Sequence, residues 1–164
     1  MFALLLLISN SSDATAFYWV GNGGTWNGLS THWSTVSGGA GGAGVPSSAD
    51  SVIFDANSFS VSGQTVNIIG DRSCKNISWQ GVTNMPTFQC NITSTLSVSG
   101  SLVFSPNMIL DFQGILDLKF GGVLDFDLNT ADLTFDGTIR FDADDGAGAI
   151  SAWFLQNDLE TTSN

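Results

Sequence analysis

An all-β, solenoid-like fold is what this sequence predicts, and three observations predict it. From Leu96 to Leu128 every even-numbered position is apolar, glycine or proline, while the odd positions are mostly Ser, Thr, Asn, Asp, Gln or Lys. A period of two is the signature of strands with one buried and one wet face. Such a run is too long for one strand, since 33 extended residues would reach about 110 Å, so the chain must turn, most readily at Gly100, Pro106, Gly114 and Gly121-Gly122. Finally, the in/out phase survives those turns. A two-residue hairpin exchanges even for odd, so corners between the coils of a solenoid fit better than tight hairpins. An antiparallel β-sandwich built with longer loops is the alternative.

The chain begins with the apolar run Phe2–Ile8, then polar Ser9–Asp13 and the small-x-small triplet Ala14-Thr15-Ala16. This pattern reads as a signal peptide over 1–16 with a mature start at Phe17, although no Lys or Arg precedes the run. A buried N-terminal strand is the other reading. The run is too short to span a bilayer, and no later stretch is apolar enough. Residues 17–50 form an aromatic, glycine-rich cap and loop, in which Phe17, Tyr18, Trp19, Trp26 and Trp33 fall at irregular intervals before the run Gly38–Gly44. Beyond it lies the expected solenoid, 51–164, with strands at Ser51–Asp55, Val61–Ile69 and Asn76–Trp79 and then the ladder. After Asn129-Thr130 the phase slips, and Ala131, Leu133, Phe135, Ile139 and Phe141 become the apolar set. The sequence stops in a strand-like stretch at Asn164, as a truncated solenoid would.

Of 164 residues only four are Lys or Arg, against fifteen Asp or Glu, for a net charge of −11. Nucleic acid and anionic membrane surfaces are poor partners for such a chain. The charged fraction of 12% is about half that of an average globular domain, and the wet faces are instead rich in hydroxyls and amides. That composition favours a secreted or cell-surface location.

The N-terminal segments resemble a known group. Tyr18-Trp19-Val20-Gly21, Gly24-Thr25-Trp26-Asn27, His32-Trp33-Ser34, Ser37-Gly38-Gly39 and Val45–Asp55 are similar to the opening of large secreted bacterial β-repeat surface proteins of adhesin-like type. The Cys74 strand, the ladder and Gly148–Thr162 also look like that group. The resemblance implies a right-handed parallel β-helix with a structural or adhesive role, further repeats or other copies as partners, and no catalytic motif.

Chemistry has few candidates. No G-x-S-x-G, H-E-x-x-H, P-loop or dinucleotide fingerprint occurs, and one His with two Cys excludes the usual zinc sets. His32 lies among the cap aromatics and reads as packed or surface-bound rather than catalytic. Nine Asp crowd between Asp111 and Asp145, and Asp142, Asp144 and Asp145 form the densest cluster, where calcium is the natural cation. The competing reading is a solvated face that discourages edge pairing. Trp19, Trp26 and Trp33 either form a platform for glycan rings or plug an open end of the solenoid. Cys74 and Cys90 either pair as a disulfide or remain two buried thiols. Asn10, Asn76 and Asn91 each open an N-x-S/T sequon. On the wet face, Val103, Ile109, Ile115 and Val123 would form an apolar stripe if turns brought them together. The expected function is a non-catalytic surface module, with a carbohydrate-binding or polysaccharide-cleaving β-helix as the alternative.

Overall fold

The computed structural model describes residues 14–119, 126–127 and 136–142, with the backbone alone at 126–127 and 141–142. Fourteen strands run in order within them. They are β1 (Ala16–Trp19), β2 (Gly24–Trp26), β3 (Trp33–Ser34), β4 (Ser51–Ile53), β5 (Thr65–Ile68), β6 (Arg72–Cys74), β7 (Asn76–Ser78), β8 (Thr87–Cys90), β9 (Thr95–Val98), β10 (Leu102–Val103), β11 (Ile109–Phe112), β12 (Ile115–Lys119), β13 (Phe126–Asp127) and β14 (Thr138–Asp142). From β4 to β13 every third strand returns to the same sheet. Sheet A has the order β13-β10-β7-β4-β1-β3, sheet B β11-β8-β5-β2 and sheet C β14-β12-β9-β6. The coils β4-β5-β6, β7-β8-β9 and β10-β11-β12 therefore stack as three complete turns of a parallel β-solenoid. Among the described residues all pairings are parallel except β1 with β3, which rules out the antiparallel sandwich.

Each coil threads its apolar residues into the same interior columns. Phe17, Val52, Ile77 and Leu102 stand in register on sheet A. Trp26, Ile68, Cys90 and Phe112 do so on sheet B, and Cys74, Val98 and Leu118 on sheet C. The even-numbered ladder is the buried set as far as the described residues extend, from Leu96 through Leu118, with only Pro106 exposed. Gly100, Pro106 and Gly114 all lie between strands, as the phase argument requires. Gly114 is obligatory. A Cβ there would run into the carbonyl oxygens of Ser94 and Asn91 and the Cys90 sulfur of the coil before. The phase slip is visible in the register, since Ile139 and Phe141 align with Leu116 and Leu118. Its expected location at Asn129 is outside the described residues, as is Gly121-Gly122.

The cap differs from the sequence expectation. Its aromatic segment is the solenoid's first coil rather than a separate cover, because β1 extends sheet A and β2 extends sheet B. Only β3 turns back, closing the sheet A edge antiparallel to β1. The strand expected over 61–69 starts only at Thr65, because Gly63 adopts a φ of 74° and breaks extension. The apolar stripe does not form either. Val103 belongs to sheet A, Ile109 to sheet B and Ile115 to sheet C, one on each wall, while Val123 is outside the described residues.

Candidate functional site

A solenoid wall turns every second residue outward and repeats it on the neighbouring coil, so the outer columns are the places to look for chemistry. On sheet A, Asn76 donates from Nδ2 to Ser51 Oγ (2.9 Å) and accepts the Ser101 amide at Oδ1 (2.8 Å). That ladder fastens successive coils. It also crowds Gly100, where a Cβ would meet Asn76 Oδ1. On sheet B, Thr25, Asn67, Gln89 and Asp111 align, and Gln89 Nε2 donates to Asp111 Oδ2 at 2.6 Å. Neither of these columns contains a cation.

Sheet C is different. One outward column reads Ser73, Ser97, Asp117, Arg140. Asp117 is only 1% exposed, because Arg140 of the following coil covers it with two hydrogen bonds, Nε to Oδ1 at 2.8 Å and Nη2 to Oδ2 at 2.7 Å. Lys119 Nζ lies 3.7 Å from the same carboxylate, and Ser97 Oγ donates to it weakly at 3.4 Å. The Arg140 hydrogen bonds outweigh the effect of burial and hold the Asp117 carboxyl below the usual carboxylate range, with Lys119 and Ser97 adding to them. The next outward column is reached by continuing the register one residue. The Ser99 amide donates to the Cys74 carbonyl, which sets Ser99 beside Lys75, and Lys119 follows beyond Ser99. All four basic residues of the chain thus lie on sheet C or directly beside it, Arg72 in β6, Lys75 just after it, Lys119 in β12 and Arg140 in β14. Ser48, Ser73, Cys74, Ser97, Ser99 and Lys119 line a groove of about 350 Å³ along this wall.

The residues singled out from sequence fare unevenly. Trp19, Trp26 and Trp33 are 0% exposed. Trp33 packs edge-on against Trp19 and Trp26 at 5.0 and 5.1 Å, and Trp19 stacks on His32 at 4.6 Å. Rings with no free face offer nothing for a sugar to stack on, so the glycan platform is corrected to a core filling of the first coil. His32 is itself held there by a 2.9 Å hydrogen bond between Nδ1 and the Val20 carbonyl. Cys74 and Cys90 are free thiols, which corrects the disulfide. They occupy different sheets, Cys74 beside Val98 and Cys90 between Ile68 and Phe112. Burial pushes the Cys74 thiol far above its usual range and the Cys90 thiol up to about 11, so both are protonated and poorly nucleophilic at neutral pH. Asp144 and Asp145 are outside the described residues, and Asp142 is described only as the β14 backbone paired with Lys119. Among the described residues, no group of three or more His, Cys, Asp or Glu converges as a metal site would need. No described helix is long and apolar enough to cross a membrane.

Sequence reasoning missed Lys75, Ser99 and Lys119 as a set. Alternation alone assigns Ser97, Ser99, Asp117 and Lys119 to the outer face, but joining them to Ser73 and Lys75 requires the coil length. Comparison with family models, with curated proteins and with solved structures found no match to this chain.

Proposed function

We propose that the chain is a non-catalytic structural or adhesive segment of an extracellular surface protein. The observation that supports this reading is the use made of the sequence. Inward positions fill stacked apolar columns, and outward positions on sheets A and B form hydrogen-bonded Ser, Asn, Gln and Asp ladders between coils. Such a wall grows by adding coils and presents a long, hydroxyl-rich surface. The Cys74 and Cys90 thiols are buried and His32 is stacked on Trp19, so none of these three is presented as an activated nucleophile or base.

Two features favour an exported protein, namely the apolar run ahead of Ala14-Thr15-Ala16 and the sparse charge on the walls. A cut after Ala16 would remove Thr15, whose amide donates to Asp50 Oδ1 at 2.9 Å and whose carbonyl accepts the Ser51 amide. Asp50 would keep the Ser47 amide and hydroxyl at 2.8 and 2.6 Å.

The test uses the full chain with a panel of neutral and acidic polysaccharides. The expected result is elongated particles by electron microscopy and no release of reducing ends or unsaturated products. Turnover of any polymer that is abolished by mutation of the outward Asp set would establish an enzyme and overturn the reading.

A further inference from the structure

Two Asn-Gly dipeptides flank β2, Asn22-Gly23 before it and Asn27-Gly28 after it, and no other Asn in the sequence precedes a glycine. Glycine has no side chain to shield its own amide nitrogen, so an Asn carboxamide meets that nitrogen most freely in this dipeptide. The fold treats the two pairs differently. The Gly23 N–H donates to Gln64 Oε1 at 2.9 Å, and a Cβ at Gly23 would meet Gln64 Oε1 and the Thr65 carbonyl oxygen at 3.0 and 3.1 Å. Asn22 is itself fixed, because the Ser60 amide and hydroxyl donate to Oδ1 at 2.7 and 2.9 Å and the Trp19 indole donates to its carbonyl at 2.6 Å. Gly28, by contrast, is exposed, and a Cβ there would meet nothing within 4 Å. Among the described residues its N–H has no acceptor. The Asn27 carboxamide folds over its own following peptide, since Oδ1 accepts the Leu29 amide at 2.8 Å.

We propose that Asn27 is a self-modification site, converting to aspartate and isoaspartate through a cyclic imide. In the first step the Gly28 nitrogen attacks Asn27 Cγ and a C–N bond forms. The carbonyl electron pair moves to Oδ1, where the Leu29 N–H is already placed to stabilise the developing charge. Nδ2 then leaves as ammonia, taking up the proton that the Gly28 nitrogen gives up. Water, the only co-reactant, opens the imide at either carbonyl. Opening at Cγ gives aspartate, and opening at the main-chain carbonyl gives isoaspartate, which carries the chain through Cβ. Either product places a new carboxylate at the edge of sheet B, where Asn27 stands beside Ile69 because the Ile69 amide donates to the Trp26 carbonyl at 3.1 Å. Isoaspartate also lengthens the backbone directly after edge strand β2. Asn22 is spared, because attack there costs the Gly23 hydrogen bond and disturbs the two from Ser60. This inference goes beyond the structural role and stands whether or not the solenoid assembles into longer walls.

The test is incubation of the folded full chain in warm buffer over a series of pH values, followed by peptide mapping with mass spectrometry. Replacement of NH2 by OH is expected to accumulate at Asn27, faster as pH rises, because loss of its proton makes the Gly28 amide nucleophilic. Backbone fragment ions distinguish the isoaspartate product from aspartate. In the same sample Asn22 is expected to convert at least about tenfold more slowly, the factor that one or two lost hydrogen bonds supply. Unfolding in urea is expected to remove that difference. Gly28→Ala is expected to slow conversion of Asn27 about tenfold, as a methyl group adding about 1.4 kcal/mol to the barrier would do. The melting temperature should persist in that variant, since the space around Gly28 is open. Retention of the Asn27 amide in the folded chain, under conditions that convert it in urea, overturns the proposal. So do equal rates at Asn22 and Asn27 in the folded chain, or a rate at Asn27 indifferent to Gly28→Ala. None of these outcomes affects the polysaccharide-turnover result that judges the structural role.

Discussion

The coils before Leu96 and the ladder after it solve the same packing problem in different ways. In the ladder, corners are short, every second residue points inward, and Leu96, Val98, Leu102, Leu110, Leu116 and Leu118 fill the interior. The partners Ser97 and Asp117 in adjacent coils are only 20 residues apart. The earlier sheet A partners Ser51 and Asn76 are 25 residues apart. The extra length lies in loops after β4 and β7, which fold back to bury Phe54, Phe59, Trp79 and Val82. These rings build a stack across coils. Phe54 lies 3.8 Å from Trp79 at 7° and 6.4 Å from Phe59 at 6°. Aliphatic residues fill a narrow coil by regular alternation, whereas aromatic anchors let an irregular loop contribute to the same core.

The sharpest way to break this contrast is to truncate the aromatic stack. Trp79→Ala should cost about 3–5 kcal/mol, because a ring sandwiched between Phe54 and Phe88 leaves a void that stiff neighbours cannot fill. Leu102→Ala in the ladder should cost somewhat less, about 2–4 kcal/mol, by the same transfer-plus-cavity argument on a smaller side chain. Urea denaturation of the two variants checks the order. A reversed order would mean that the ladder, not the aromatic stack, anchors the solenoid. Corner geometry comes next. Gly114→Ala places a methyl group against the Ser94 and Asn91 carbonyls, so a loss of about 1–3 kcal/mol is expected in the same measurement.

These two regions also differ in how far their sequence discloses them. Strict alternation made the inner set of the ladder, its corners at Gly100 and Gly114, and the phase slip before Ile139 legible without coordinates, because a one-residue error would have inverted every side chain. The aromatic segment resisted the same reading. Trp19, Trp26 and Trp33 belong to three short strands in two sheets, and their spacing reflects loop lengths rather than a period. Their burial could not be inferred from neighbours such as Gly24 and Asn27. The groove was half legible. Outward positions follow from parity, but the partners of Ser97 and Ser99 depend on a coil length that, from β4 onward, varies between 20 and 25 residues. Cys74 and Cys90 show the same limit, since their separation along the chain does not reveal that they face the core from different sheets.

A smaller effect is expected where the ladder carries a charge. Asp117 has its folded pKa lowered, so the contribution of its carboxylate to stability is fully present above the unfolded value of about 3.9 and is lost as pH falls through the folded value. Asp117→Asn should therefore flatten the acid limb of the stability–pH curve. At neutral pH it should cost about 1–3 kcal/mol, with the half-exposed Arg140 favouring the lower end of that range. Equilibrium unfolding between pH 2.5 and 7 measures both quantities. An acid limb identical to wild type would show that Arg140 and Asp117 do not lock β14 onto β12.

The mildest substitution separates ring packing from ring polarity within the aromatic stack. Trp19 and Trp79 are both fully buried, but only Trp19 has an acceptor for its indole N–H, the Asn22 carbonyl at 2.6 Å. Trp79 Nε1 is buried with no partner. Replacing Trp79 by Phe removes an unsatisfied donor along with part of the ring, and the two terms oppose each other. A net change of less than about 1.5 kcal/mol is expected for Trp79→Phe. Trp19→Phe has no such offset, since it removes the hydrogen bond to the Asn22 carbonyl as well as shrinking the ring, and it should be the more damaging of the pair. Thermal or urea unfolding of the two single variants decides the matter. Equal losses would mean that ring volume alone governs the first coils, and that the indole hydrogen bond at Asn22 adds nothing to the closed end of sheet A.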